Sequence, residues 1–466
     1  MAAESHGSER VSGFTVTEFG AVSDGKTDSS SFIQKSIDAA AAAGGSVHFP
    51  PGVYVSGPIT LYSGVSLHLA AGALLSFHPD PSRYPPFFTR WEGVECWTYR
   101  PMILCEGCTG VRISGAGIID GNGAAWWETL HALRKGSTEP ARIAGAEHLL
   151  LLNRDIPPDS GGGGREYGFL RPPLIQCTKS SRIRISGITC RNSAFWNTHI
   201  LYCTDVKIEG ARFENPADTP NTDGLAIDSS VNVSVTACTI DVGDDCIGLK
   251  AGAGADGRRV NRATRNVVIR DCTMNHGHGG VVCGSETAGG ISDVLIERCT
   301  FSQTDRGIRL KSRRGRGGYI TRILVRNVRM HSVHCPLVAN LYYRCGAAPD
   351  DVPYLAALTP QEVTEETPVI SEISVDQLTA TDVSSAAAVL IGLPESPIRN
   401  VMLSDFAADV VPTGVAWPVA MDFADSRFDG AGIIESFVEG FQTLRVSLRG
   451  HHGPACLSGF LEGERR

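Results

Sequence analysis

Val206-Lys207-Ile208, Val233-Ser234-Val235, Val267-Val268-Ile269, Val294-Leu295-Ile296 and Ile323-Leu324-Val325 are copies of one small pattern, an aliphatic pair at i and i+2. A strand sends alternate side chains to the same face, so each pair marks a strand with a buried face. The pair also occurs earlier, at Val111/Ile113 and Ile183/Ile185, and later, at Ile373/Val375 and Val401/Leu403. From residue 183 the first members stand at 206, 233, 267, 294 and 323, steps of 23, 27, 34, 27 and 29 residues. The longer steps, 72 residues from 111 to 183 and 50 from 323 to 373, mark insertions. A fixed strand pattern on coils of variable length predicts an all-β solenoid, a parallel β-helix. Leucine-rich and propeller repeats are more regular and carry motifs absent here.

Working outward, the reading is one domain over residues 1–466. Residues 1–70 form an N-terminal cap and the first coils. Asp28 or a following serine caps a helix whose Phe32, Ile33, Ile37 and Ala40 share a face, and Gly44-Gly45 ends it. A helix there suits a solenoid, whose terminal unit needs covering. An inserted loop at 122–171 contains Trp126-Trp127, a short helix near Ala146 to Leu152 and the glycine run 161–164. A smaller insertion near 346–368 is rich in proline. Residues 412–466 lose the repeat and read as a closing cap.

The formal charge of −8 argues against nucleic acid as a partner. No run of 18 apolar residues suggests a membrane span. Met1–Arg10 lacks the apolar core of a secretory signal, so the expected location is cytoplasmic, with a secreted or periplasmic protein the alternative if a leader was removed. Of 14 cysteines, Cys238, Cys272 and Cys299 each follow an apolar strand position by three residues. Ile188, Ala211, Val328 and Leu378 fill the same slot elsewhere, so cysteine there acts as a small hydrophobe. Cys105-x-x-Cys108 has no second pair to make a metal site with.

Four clusters carry the chemistry: Asn221-Thr222-Asp223, Gly243-Asp244-Asp245, Gly277-His278-Gly279 and Arg309-Leu310-Lys311. From Asp223 to Asp245, His278 and Arg309 the steps are 22, 33 and 31 residues, one per coil, so they stack about 4.8 Å apart. Adjacent aspartates do not suit a regular strand, because alternation would bury one of them. A bend at Gly243 lets both face a cleft, where crowding makes one hold its proton to higher pH. That supplies a proton donor beside a base. Stacked carboxylates also suit a calcium ion, and Asp-Asp pairs occur in ordinary turns, so those readings stay open. His278 between glycines is either a structural histidine or one brought close to a ligand. Arg309 and Lys311, at i and i+2, share a face and would bind an anion, unless they form a solvated basic edge. Arg313, Arg314 and Arg316 read as such an edge or a loop rim.

These clusters resemble those of the polygalacturonase family, family 28 of the glycoside hydrolases. Further likeness lies in Phe19-Gly20-Ala21, Asp24-Gly25-Lys26-Thr27-Asp28, Pro50-Pro51-Gly52, Ala71-Gly72-Ala73, Gly115 to Gly121, Arg171-Pro172-Pro173 and Asn192 to Trp196. The resemblance implies a right-handed parallel β-helix and hydrolysis of α-1,4 bonds in pectic oligogalacturonides with inversion, without metal or other cofactor. It makes Asp244 the general acid, Asp223 and Asp245 the carboxylates that activate water, and His278 the residue tuning the acid. Arg309 and Lys311 become the clamp for the uronate carboxylate. Asn221 would orient Asp223 or substrate, and Tyr342 or Tyr343 would line the cleavage subsite. Leu310 replaces an isoleucine, and Gly243 replaces the glutamine of fungal members. Residues 279–286 and 340–346 look like those of exo-acting bacterial members, which suggests attack at the non-reducing end. The rivals are a rhamnogalacturonan-type substrate, a calcium-dependent pectate lyase and a noncatalytic glycan-binding β-helix.

Overall fold

Strand alternation is what holds this chain together. In the computed structural model, which describes residues 13–157, 163–415, 426–459 and 461, the aliphatic pairs stand in register from coil to coil. Val206 pairs with Val233, then Val267, Val294, Ile323, Ile373 and Val401 follow in one row. Ile208, Val235, Ile269, Ile296, Val325, Val375 and Leu403 make a parallel row. All of them are buried. Each coil therefore removes its neighbour's apolar face from water, at about 25 cal/mol per Å².

The strands form two large parallel sheets of 23 and 12 strands. One coil runs through Val231–Thr236, Thr239–Asp241 and Asp245–Lys250; the first two strands join the larger sheet and the third joins the smaller. The turn between the first two is made at a residue with positive φ in coil after coil: Ala237, Asp271, Arg298, Asn327, Gln377 and Asp405. Such a residue costs about 1–3 kcal/mol, offset by the ladders on both sides. Among the described residues no disulfide is formed. Cys238, Cys272 and Cys299 are buried, and the buried Cys108 thiol donates to the carbonyls of Leu61 and Glu106.

The N-terminal helix is Ser30–Ala43. Ser30 N–H donates to Asp28 Oδ1 at 2.9 Å, Gly44 ends the helix at φ 69°, and Ile33, Ser36, Ile37 and Ala40 are buried, with Phe32 partly so. The insertion at 122–171 holds helices Ala124–Arg134 and Ala146–Leu152. Gly161 and Gly162, like Met1–Arg10, lie outside the described residues. An element not expected from the sequence stands beside it, the antiparallel hairpin Pro86–Trp91/Val94–Tyr99. Its tip, Glu92-Gly93, has φ of 45° and 85°, the two positive values of a tight type I′ hairpin turn.

Two expectations change. Arg313, Arg314 and Arg316 are buried and do not form a solvated edge. Arg314 makes a two-pronged pair with Glu395 at 2.6 and 2.9 Å and donates to the carbonyls of Tyr354, Leu355 and Ala357, which anchors the proline-rich insertion. After Pro412 the winding continues: Ala431–Ser436, Val438–Leu444, Ser447–Arg449 and His452–Ser458 add a further coil to both sheets. Its outer strands are largely exposed, so they need no apolar alternation, and the pattern fades from the sequence while the backbone keeps it. Among the described residues no helix is long and apolar enough to cross a membrane.

Candidate active site

Strands Leu225–Asp228, Asp245–Lys250, Gly279–Cys283, Arg306–Lys311 and Cys335–Asn340 are consecutive in the smaller sheet. Ile247, Val281 and Ile308 stack in the core, as do Leu249, Cys283 and Leu310. Gly248, Val282 and Arg309 form the row between them on the opposite, outer face. The glycine and the short valine leave space above the sheet. A cavity of ≈ 520 Å³ opens there, and Asn221, Asp223, Asp244, Asp245, His278, Arg309, Lys311 and Tyr343 all line it. Winding has thus brought together every residue expected at the site except Tyr342. That side chain is buried in the core with its hydroxyl donating to the Ala357 carbonyl at 3.3 Å. Tyr343 instead lies beside the cations, its ring centre 5.6 Å from the Arg309 guanidinium and 5.1 Å from Lys311 Nζ.

Two glycines make the acidic corner fit. A Cβ on Gly243 would lie 2.6 and 2.7 Å from the carbonyl oxygens of Thr219 and Pro216. Gly243 is therefore needed for close approach. Gly277 is needed for both reasons, since its φ is 79° and a Cβ would lie 2.2 Å from the Asp244 carbonyl oxygen. This approach lets His278 N–H donate to that carbonyl at 3.2 Å, with His278 Nδ1 3.3 Å from Asp244 Oδ1.

Asp223 and Asp245 are buried and Asp244 partly so, and their neighbours treat them differently. Burial pushes the Asp223 carboxyl well up, and Asp244 and Asp245 push it further, against the pull of Lys250. Burial also pushes Asp244 up, but the His278 imidazole, with Lys311 and Lys250 adding, holds the group below the carboxylate range. The same contact lifts His278 to about 9. Asp245 is held low against burial by Lys311, whose Nζ is 2.8 Å from Oδ2, with Arg309 Nη1 3.7 Å from Oδ1. Burial and its two acidic neighbours thus disfavour the charged form of Asp223, while the cations beside Asp244 and Asp245 favour theirs. Each carboxylate already faces a cation, which is unlike the oxygen shell that a calcium ion needs. Among the described residues no group of three His, Cys, Asp or Glu is placed to hold a metal ion.

Among the lining residues to which the sequence reading gave no role are Glu92, Trp196, Lys250 and Glu286. Lys250 ends a strand behind Ile247 and Leu249, as Lys311 ends one behind Ile308 and Leu310, and that parallel was the available signal. Glu92 gave none, because it arrives on the hairpin. Arg90 of the hairpin forms a fully buried pair with Asp228 at 2.8 Å, and Gly93 accepts from Ala253 N–H at 2.9 Å. Burial, with Glu286 adding, pushes Glu92 up to about 7. Arg171 binds Asn221 Oδ1 at 2.7 Å and the carbonyls of Gly163, Ala194 and Pro220, so Asn221 is fixed from the insertion side. The hairpin and insertion together wall the cavity at Glu92.

A β-helix whose outer wall gathers three acids, a paired histidine and two buried cations into one cleft holds the groups that glycoside hydrolysis uses. The chain belongs to family 28: residues 161–408 match the family described as glycosyl hydrolases family 28. Residues 13–71 match the family described as rhamnogalacturonase A/epimerase, pectate lyase-like. A probable polygalacturonase of Vitis vinifera is 30% identical over 407 residues, covering 85% of this chain and 74% of that protein. An exo-poly-alpha-D-galacturonosidase of Dickeya chrysanthemi is 31% identical over 337 residues, 68% of this chain and 55% of that one. The crystal structure of a hyperthermoactive exopolygalacturonase from Thermotoga maritima superposes with a TM-score of 0.74 at 26% identity, covering 94% and 92% of the two chains. The fold is accordingly the right-handed parallel β-helix, and the enzyme is of the polygalacturonase family.

Proposed function

We propose that the enzyme removes single galacturonate units from the non-reducing end of oligogalacturonides by inverting hydrolysis. The observation that carries this is the pairing of a cationic wall, Arg309 and Lys311 with Tyr343, with a cavity that Glu92 of the docked hairpin also lines. The cations suit a uronate carboxylate, and a hairpin beside them would limit how far a chain extends. The Dickeya and Thermotoga relatives, named as exo-acting, support the same reading.

In the reaction, water attacks the anomeric carbon as the glycosidic C–O bond breaks. The water proton passes to Asp223 or Asp245, and the leaving oxygen takes a proton from the Asp244–His278 pair. A uronate carboxylate between Arg309 and Lys311 brings negative charge beside Asp244 and Asp245 and raises both. Substrate itself therefore moves Asp244 toward its acid form. A time course on oligogalacturonides with products resolved by size tests the mode. Galacturonate alone should accumulate at early times, and a spread of mid-length products overturns exo attack. Proton NMR of the first product should show the β-anomer; an initial α-anomer overturns inversion.

A further inference from the structure

Lys250 has no role in the scheme above, yet it is among the most constrained side chains in the cavity. It is 4% exposed. Its Nζ stands 3.2 Å from Asp223 Oδ2 and 3.8 Å from Glu286 Oε2. On a third side it lies 4.6 Å from the centre of the Trp196 ring. Trp196 is itself fixed, stacked on Phe195 at 4.9 Å and edge-on to His199 at 4.8 Å. Neither Asp223 Oδ2 nor Glu286 Oε2 has a hydrogen-bond partner among the described residues, so the ammonium is the counter-charge both share. The space is kept by Gly248: a Cβ there would lie 3.3 Å from both Lys250 Nζ and Asp223 Oδ2. The loop that carries Glu286 is tied to the same place, since its carbonyl accepts from Ala251 N–H at 2.7 Å.

We propose that Lys250 is a positioning residue of the hydrolytic step. Its ammonium, divided between Asp223 and Glu286, opposes burial and draws Asp223 toward the carboxylate form that receives the water proton. The inference rests on the assignment of Asp223 as a water-activating base.

The charges around Asp223 show why such a group is needed. Asp244 and Asp245 at the head of the neighbouring strand repel its charge, and burial disfavours it. Lys250, from the far end of that strand, is the strongest opposing influence, followed by Lys311 from two strands away. Glu286 competes for Lys250, with Glu92 behind it. A base that must be ionised loses activity as pH falls through its pKa. Weakening the Lys250 contact moves that limb to higher pH, and removing Glu286 moves it lower.

The test measures kcat/KM against pH for the full chain and its Lys250→Met, Lys250→Arg and Glu286→Gln variants on trigalacturonate, with Tm as the folding control. Lys250→Met should move the acidic limb up by about one unit or more, cutting activity on that limb about tenfold or more. Its alkaline limb, which belongs to Asp244–His278, should stay in place. Lys250→Arg should return the acidic limb toward that of the parent, and Glu286→Gln should lower it. A Lys250→Met enzyme that is weakened equally at every pH, with the limb unmoved, overturns the proposal. If that variant does not fold, Glu286→Gln decides: a lowered limb supports the role and an unmoved one refutes it. Should the parent ignore trigalacturonate but cleave a rhamnogalacturonan oligosaccharide, the galacturonide reading fails. The limbs are then compared on that substrate, where the Lys250 expectation is unchanged.

Discussion

Replacing Lys311 by methionine separates a uronate clamp from a merely structural cation. Lys311 Nζ lies 2.8 Å from Asp245 Oδ2, and both side chains are almost fully buried, at 8% and 2% exposure. Methionine keeps most of the volume and removes the charge. Asp245 is left with Arg309 at 3.7 Å, and losing one partner of a buried pair costs about 3–5 kcal/mol, which urea titration will read as lost stability. The functional magnitude comes from the substrate side. A carboxylate deprived of one charge-assisted bond loses about 1.5–3 kcal/mol, or roughly 10- to 150-fold in kcat/KM. A methyl-esterified terminal unit never had that ion pair, so its much lower parent rate should fall by only a fewfold. The assay is initial rates of both trisaccharides at one pH, at a temperature where the variant is folded. The ratio of acid to ester kcat/KM should collapse by about tenfold or more. An equal loss on both substrates would show that Lys311 acts on Asp245 alone and would remove the clamp from the scheme.

Other outcomes follow from the same geometry. His278→Gln takes away the cation that holds Asp244 low and that titrates near 9. The alkaline limb of kcat/KM should therefore fall from near 9 by about two units or more, and a limb that stays put refutes the pair. Asp228, buried against Arg90, has its carboxyl lowered from 3.8 to about 2. Because the folded value is the lower one, this stabilisation is present above pH about 4 and is lost as pH falls toward 2, worth about 2 kcal/mol in all. Asp228→Asn should abolish that window in acid-unfolding curves and free the hairpin to exchange its amides. Gly277→Ala should leave the fold cooperative but cost about 2–4 kcal/mol and more than tenfold in activity, since Asp244 and His278 can no longer approach. Wild-type kcat/KM in that variant would refute the close contact. Asp244→Asn and Asp223→Asn should each lower kcat by about 10²–10⁴, and an undiminished rate in either removes it from the chemistry.

Much of this was legible from period two alone. Val206 and Ile208 fix a strand, its face and, through their counterparts at 233, 267 and 294, its neighbours in register. Apolar stacking is local and repetitive, so the sequence displays it directly. The order Asp223, Asp244, Asp245, His278, Arg309, Lys311 was readable for the same reason: one cluster per coil becomes one row per sheet. The pattern ended where burial ended, in the exposed last coil after Pro412. It also misled at Arg313, Arg314 and Arg316, because three arginines within four residues look solvated until Glu395 and the carbonyls of the 346–368 insertion are seen to enclose one of them.

What only the tertiary structure decided is how the charges are shared. Neighbouring tyrosines 342 and 343 are equivalent in sequence, and only the fold sends one into the core and the other onto Arg309 and Lys311. Glu92 reaches the site on a hairpin anchored 138 residues away, through Arg90 to Asp228. Proton placement among Asp223, Asp244 and Asp245 depends on ångström-scale distances to His278, Lys250 and Lys311. Coulomb energy and desolvation vary steeply over such distances, and nothing in residue spacing encodes them.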